Sequence, residues 1–172
     1  MKWYDKYLKI YNVEYQSIDF LTKEEIKNSV AKINNVDNPI ATLAVIAHNE
    51  SSKIAASIWS LCNNTCKYLY EIIVIDNNST DNTCEILNEL GVKWYEEKKK
   101  GPGFARNCGI DHAKGKYYLC VDSDTLYPPK YIETYIKTLM KRDIVCCYGL
   151  WSFLPDKRHT KLQLVMYEFL RD

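Results

Sequence analysis

Residues 42–47, TLAVIA, form an unbroken apolar run that ends at a polar turn, His48-Asn49-Glu50, and the same pattern returns further along the chain. A run at 71–75 (EIIVI) meets Asp76-Asn77-Asn78-Ser79, and one at 117–121 (YYLCV) meets Asp122-Ser123-Asp124. An apolar run without alternation suits a strand covered on both faces. Between the runs the spacing turns helical, through Ile54, Ile58 and Leu61 and again over residues 103–113. A short strand is expected at 92–95 and another at 144–148. Pro128 and Pro129 are expected to open a helix through Tyr131, Ile132, Tyr135 and Leu139. Gly115 stands where helices commonly terminate. Strands alternating with helices imply an α/β fold, an open, mostly parallel sheet flanked by helices.

Residues 1–38 read as a helical extension ahead of that sheet. Trp3, Tyr7, Ile10 and Tyr11 recur at helical spacing, and Thr22 with Glu25 has the form of a capping box before Ile26, Val30 and Ile33. A polar linker over 34–39 separates the extension from a domain over 39–172. At the far end, Leu162, Val165, Met166 and Phe169 give residues 161–170 the apolar face of a helix.

Several function classes are excluded at this stage. With 23 basic and 22 acidic residues the net charge is +1, which leaves no broad field for nucleic acid. The longest apolar run falls short of the roughly 20 residues that span a bilayer, so association with a membrane, if any, is expected to be peripheral. Seven cysteines follow no disulfide framework, and Cys62 and Cys66 lack a second ligand pair for zinc. They read as buried free thiols, and with no signal-peptide core at the N-terminus a cytoplasmic location is expected.

Ligands on open parallel sheets bind beyond the carboxyl ends of the strands, which directs attention to the three polar turns. Helix capping accounts for Ser79 and Asp81. It does not account for two carboxylates around one residue at Asp122-Ser123-Asp124, which repel unless a cation lies beside them. Mg²⁺ or Mn²⁺ suits such a pair, because these ions take one or two carboxylates and complete their shell with water and substrate phosphates. The Lys98-Lys99-Lys100 run reads as a solvated loop.

Four blocks in order resemble glycosyltransferase family 2. They are the 42–47 strand with His48-Asn49-Glu50, the segment 71–83 (EIIVIDNNSTDNT), the 103–109 helix (GFARNCG) and the 115–124 strand (GKYYLCVDSD). The resemblance covers roughly residues 41–150. It implies the GT-A fold and transfer of a sugar, with inversion and a divalent metal, from a nucleotide-sugar donor, UDP-sugar favoured, to a glycan or lipid-linked acceptor in surface polysaccharide synthesis. It further implies that Ala47, His48 and Glu50 line the base and ribose, that Asp76 accepts a uracil N3–H, and that Arg106 lies near the nucleotide. Asp122 and Ser123 would face the donor, with Asp124 and Asp122 on the metal. His48 departs from the family's usual tyrosine. No catalytic base is assigned, since Glu168 and Asp172 match no family motif, and a chain shortened at its C-terminus is the expected reason. The other reading is a non-catalytic sugar-nucleotide-binding or assembly subunit. A nucleotidyl-transferring enzyme on a similar sheet is disfavoured, because the turn after the first strand has no glycine.

Overall fold

The structure, a computed structural model, describes residues 2–34, 36–154 and 160–171. Its centre is a sheet of four parallel strands: β1 (Ala41–Ala47), β2 (Tyr70–Asp76), β3 (Trp94–Glu96) and β4 (Tyr117–Asp122), in the order β3-β2-β1-β4. β1 and β2 lie in the middle and are buried almost throughout, as their unbroken apolar runs demand. β4 alternates instead, with Leu119 and Val121 buried and Cys120 and Asp122 exposed. The register sets Ala47 beside Asp76 and Ile46 beside Asp122, so all three polar turns emerge at one edge.

The larger core lies on one sheet face. Leu43, Val45, Ile72, Val74, Leu119 and Val121 pack there against α3 (Ile54–Cys62), α4 (Thr83–Leu90) and α6 (Tyr131–Leu139). α5 (Pro102–His112) covers the opposite face, where Ala105 and Cys108 meet Ala44, Ile73 and Ile75. Each fully buried Leu, Ile or Val contributes about 1.5–3 kcal/mol, so the two-sided burial of β1 and β2 dominates the stability of the sheet.

The first 34 residues belong to the same core. α1 (Asp5–Leu8) and α2 (Phe20–Asn34) deliver Tyr7, Ile26 and Val30, and Ile10, Tyr15 and Ile18 join them from the segments between. α2 is capped by Asp19, whose carboxylate accepts from the Thr22 amide at 2.9 Å and the Thr22 hydroxyl at 2.7 Å. Thr22 therefore lies inside the helix and is not its cap. Gly115 has an ordinary backbone; a Cβ there would meet the Ala41 carbonyl carbon at 2.4 Å and the Thr42 nitrogen at 2.5 Å, so it is a close approach to β1.

Two other expectations are corrected. Residues 144–148 form no strand: Val145 and Tyr148 are exposed, and β4 pairs only with β1 among the described residues. A run of β-prone residues supplies propensity, but a strand also needs a partner. All seven cysteines are free, yet Cys120 and Cys146 are exposed and only Cys108, at 8% exposure, is buried. α7 (Lys161–Arg171) forms over the expected segment, with Leu162, Val165 and Met166 exposed. The side chain of Glu168, and Asp172 as a whole, lie outside the described residues. No described helix is long and apolar enough to cross a membrane.

Candidate functional site

The turn after β1 and the turn after β2 are laced together. Asn49 adopts a left-handed backbone (φ 57°), its amide donates to Ser79 Oγ at 2.9 Å, and its Oδ1 accepts from the Thr80 amide at 2.7 Å. The Glu50 amide donates to Thr83 Oγ1 and the Ser51 amide to Asp81 Oδ2. Asp81 Oδ1 also accepts from the amide and hydroxyl of Thr83. Burial alone would raise the Asp81 carboxyl, but the bonds from Thr83 and Ser51 outweigh it and hold it below the ordinary range.

Asn77 and Asn78 then fix a third segment. Asn77 Nδ2 donates to the carbonyls of Glu97 (2.9 Å) and Lys99 (2.7 Å), and Asn77 Oδ1 accepts from the Gly101 amide at 2.8 Å. Asn78 Nδ2 donates to the carbonyls of Glu97 and Lys98. The lysine run is thus pinned to the sheet edge by its backbone, with all three lysines exposed to solvent.

Beyond the strand ends opens a cavity of about 510 Å³, lined among others by Ala47, His48, Glu50, Asn77, Lys100 and Gly101 and closed by Asp122, Ser123 and Asp124. His48 Nδ1–H donates to the Asn77 carbonyl at 2.7 Å, the only role a carbonyl allows it. Ser123 is buried between two exposed aspartates. Burial raises the Glu50 carboxyl above the ordinary range, the nearby Asp124 and Asp81 charges add to this, and the Lys53 ammonium at 3.2 Å opposes it. Lys53 also stands 3.9 Å from Asp124 Oδ2.

Six of the residues singled out from the sequence meet at this cavity: Ala47, His48, Glu50, Asp122, Ser123 and Asp124. Asp76 and Arg106 do not line it. Asp76 is 2% exposed; its Oδ2 accepts from the Ser79 amide at 3.1 Å, and it faces a smaller cavity shared with Cys84 and Trp94. Burial, followed by the charge of Asp76, pushes the Cys84 thiol up to about 12, which disfavours the thiolate. Arg106 is exposed on α5 beside Cys120; burial raises that thiol above its ordinary range, and the Arg106 guanidinium opposes the rise without cancelling it. Because side chains alternate along a strand, Cys120 and Asp122 share the sheet face that α5 covers, so Arg106 stands on the same side as Asp122. Asn77 and Lys100 were missed. Their signal was present in the Asp-Asn-Asn turn and the lysine run, but only the fold joins the two.

Among the described residues no three His, Cys, Asp or Glu side chains converge on one point. The donor set at Asp122 and Asp124 fits an ion that borrows its remaining ligands from water and substrate, and does not fit a closed structural site.

The model of glycosyl transferase family 2 matches residues 42–171. An uncharacterized glycosyltransferase, RP339, of Rickettsia prowazekii (strain Madrid E) is 32% identical over 145 residues, covering 76% of this chain and 45% of the relative. Chondroitin synthase of Escherichia coli is 28% identical over 135 residues, covering 75% of this chain and 20% of the relative. Among solved structures, S. aureus TarS 1–349 in complex with UDP superposes with a TM-score of 0.51 at 27% identity, over 58% of this chain and 31% of that one. The chain thus spans less than half the length of each of these proteins.

Proposed function

The chain belongs to glycosyl transferase family 2 and has its GT-A fold, and from that premise we propose that it moves a sugar, with inversion, from a nucleoside-diphosphate donor to a hydroxyl acceptor. The observation that carries the proposal is the single cavity wall on which Ala47, His48 and Glu50 from the end of β1 meet Asp122, Ser123 and Asp124 from the end of β4. The UDP bound to TarS supports a UDP-sugar as donor, and the similarity to a chondroitin synthase supports a glycan acceptor in polysaccharide synthesis.

On this reading Ala47, His48 and Asn77 form the base side of the cavity, and Asp76 holds the turn behind them. Asn77 keeps the 97–101 segment in place, and Lys100, which lines the cavity, supplies a positive charge for the diphosphate. Asp122 faces the donor sugar, and Asp124, with Asp122, would hold Mn²⁺ or Mg²⁺. A divalent cation bound there supplies positive charge against the negative charge that builds on the departing diphosphate. Arg106, on the Asp122 side of the sheet, approaches the nucleotide from α5.

A thermal-shift series with UDP-, GDP- and dTDP-sugars, with and without Mn²⁺, tests the proposal. A ligand at a hundredfold its Kd stabilises by about 2.7 kcal/mol, which for a chain of this size raises Tm by roughly 5–10 °C. The expected result is a rise with a UDP-sugar plus Mn²⁺, lost in Asp124→Asn. No shift with any nucleotide, or the same shift in wild type and Asp124→Asn, would sink it.

A further inference from the structure

The Asp122-Ser123-Asp124 turn is held from two directions. From within the family-matched region, the Tyr127 hydroxyl accepts from the Asp122 amide and donates to the Asp122 carbonyl, both at 2.8 Å, and the Tyr127 amide is itself anchored on Ser60 Oγ. The other hold comes from outside that region. Tyr11 lies 113 positions away, in the segment after α1, and its hydroxyl donates to the Asp124 carbonyl at 2.5 Å. The Tyr11 ring packs against the main core, whose nearest prefix members, Tyr7 and Ile10, are 5% and 6% exposed.

We propose that Tyr11 is a positioning residue: the N-terminal prefix, through this one hydroxyl, sets the peptide of Asp124 and thereby where its carboxylate stands in the cavity. A carboxylate on an exposed turn needs its backbone fixed if it is to present a cation ligand at the edge of a bound diphosphate, and Asp124 has an exposed side chain. Tyr127 fixes the Asp122 end; Tyr11 fixes the Asp124 end. The inference rests on the proposed role of Asp124, but the geometry of the turn can be measured without any ligand.

Tyr11→Phe keeps the ring and deletes the hydroxyl. Tyr15→Phe is its control, since the Tyr15 hydroxyl is also in the prefix but donates to Glu89, far from the turn in sequence and outside the cavity. Backbone ¹⁵N relaxation and calorimetric titration with UDP, with and without Mn²⁺, are measured on both variants and wild type. In Tyr11→Phe the order parameters of residues 123–125 should fall from about 0.85 towards 0.6, while those of β1 and β4 stay put. Its affinity for UDP with Mn²⁺ should fall about tenfold, the equivalent of one hydrogen bond, with UDP alone unaffected. Tyr15→Phe should change neither. Wild-type order at 123–125 in Tyr11→Phe would overturn the inference, as would loosening spread evenly over the chain or an equal loss in Tyr15→Phe. If wild type binds no nucleotide the proposed function fails, and the relaxation arm still decides whether Tyr11 sets the turn.

Discussion

Lys53 Nζ lies 3.9 Å from Asp124 Oδ2, so the carboxylate proposed to ligate a divalent cation already faces a protein cation. The same ammonium is 3.2 Å from Glu50 Oε2. With side chains 29% and 49% exposed, the Lys53–Asp124 pair itself is worth little, about 0–1 kcal/mol. Its consequence is competition. A divalent ion at Asp124 must displace or tolerate Lys53, and Lys53→Met removes that opposition. Mn²⁺ titration followed by electron paramagnetic resonance should show roughly two- to fivefold tighter binding in Lys53→Met, with the gap closing as salt screens the charges. Weaker binding in the variant would mean that Lys53 helps to build the cation site.

Gly115 offers a prediction about the fold alone. Its amide donates to Thr42 Oγ1 at 2.8 Å, beside Lys114, whose amide reaches Thr42 Oγ1 and Glu71 Oε1. The obstacles to a Cβ there are backbone atoms of β1, which cannot swing aside as a side-chain tip would. Gly115→Ala should cost about 3 kcal/mol or more by urea denaturation, at the upper end for overpacking. A loss under about 1 kcal/mol would show that the 113–116 segment shifts freely.

The strands and the polar turns were legible because two-faced burial leaves a direct trace in the sequence: β1 and β2 are unbroken apolar runs. The failures share a cause. Residues 144–148 have strand composition, but composition is silent about a partner. Gly115 sits near a helix end, where conformational freedom is the usual reason for glycine, while the actual reason, contact with β1, requires knowing where β1 passes. Asp19 and Thr22 are both good caps three residues apart, and spacing alone does not choose between them. Within the site, Asp76 and Asn77 are neighbours on one turn. Asp76 is the last residue of β2 and Asn77 the first beyond it, where the two-residue alternation stops, so spacing alone does not say that Asn77 lines the larger cavity and Asp76 the smaller one. Tyr11 reads as one more aromatic on a helical prefix, and only the tertiary fold carries it to Asp124.

Asp81 joins the two turns and carries a pH signature. Its folded carboxyl lies below the ordinary range, so its stabilisation is fully present above the unfolded pKa and is lost as pH falls through the folded one. Asp81→Asn keeps an acceptor for Thr83 but cannot accept from Ser51 at the same time. It should lower stability by about 1–2 kcal/mol at pH 7. That gap should hold down to the ordinary aspartate range and close only below it. Glu50 acts in the opposite sense. Its raised pKa makes the folded state bind the extra proton, so its contribution declines as pH climbs from the unfolded value through the folded one. A gap between wild type and Asp81→Asn that closes above pH 6 would contradict the assignment to Asp81.

Asn77 tests whether the pinned 97–101 segment belongs to the site. It is 7% exposed and uses both ends of its amide, two carbonyls accepting from Nδ2 and one amide donating to Oδ1. Asn77→Asp is nearly isosteric and keeps the acceptor for Gly101, but it turns a carboxylate oxygen towards the carbonyls of Glu97 and Lys99. Two donors vanish, and the carbonyls they served face a negative charge. The cost should be about 2–3 kcal/mol of stability, most of it from releasing this segment and not from the core. If Lys100 reaches the diphosphate only because Asn77 holds its backbone, the variant should also lose affinity for UDP. The loss should match that of Lys100→Met, about three- to tenfold for one partly solvated charge, and the double variant should lose little more. Calorimetry on the two single variants and the double one closes the cycle. Additive losses would mean that Asn77 and Lys100 act independently, and no loss in Lys100→Met would mean that the lysine run is the solvated loop its sequence suggests.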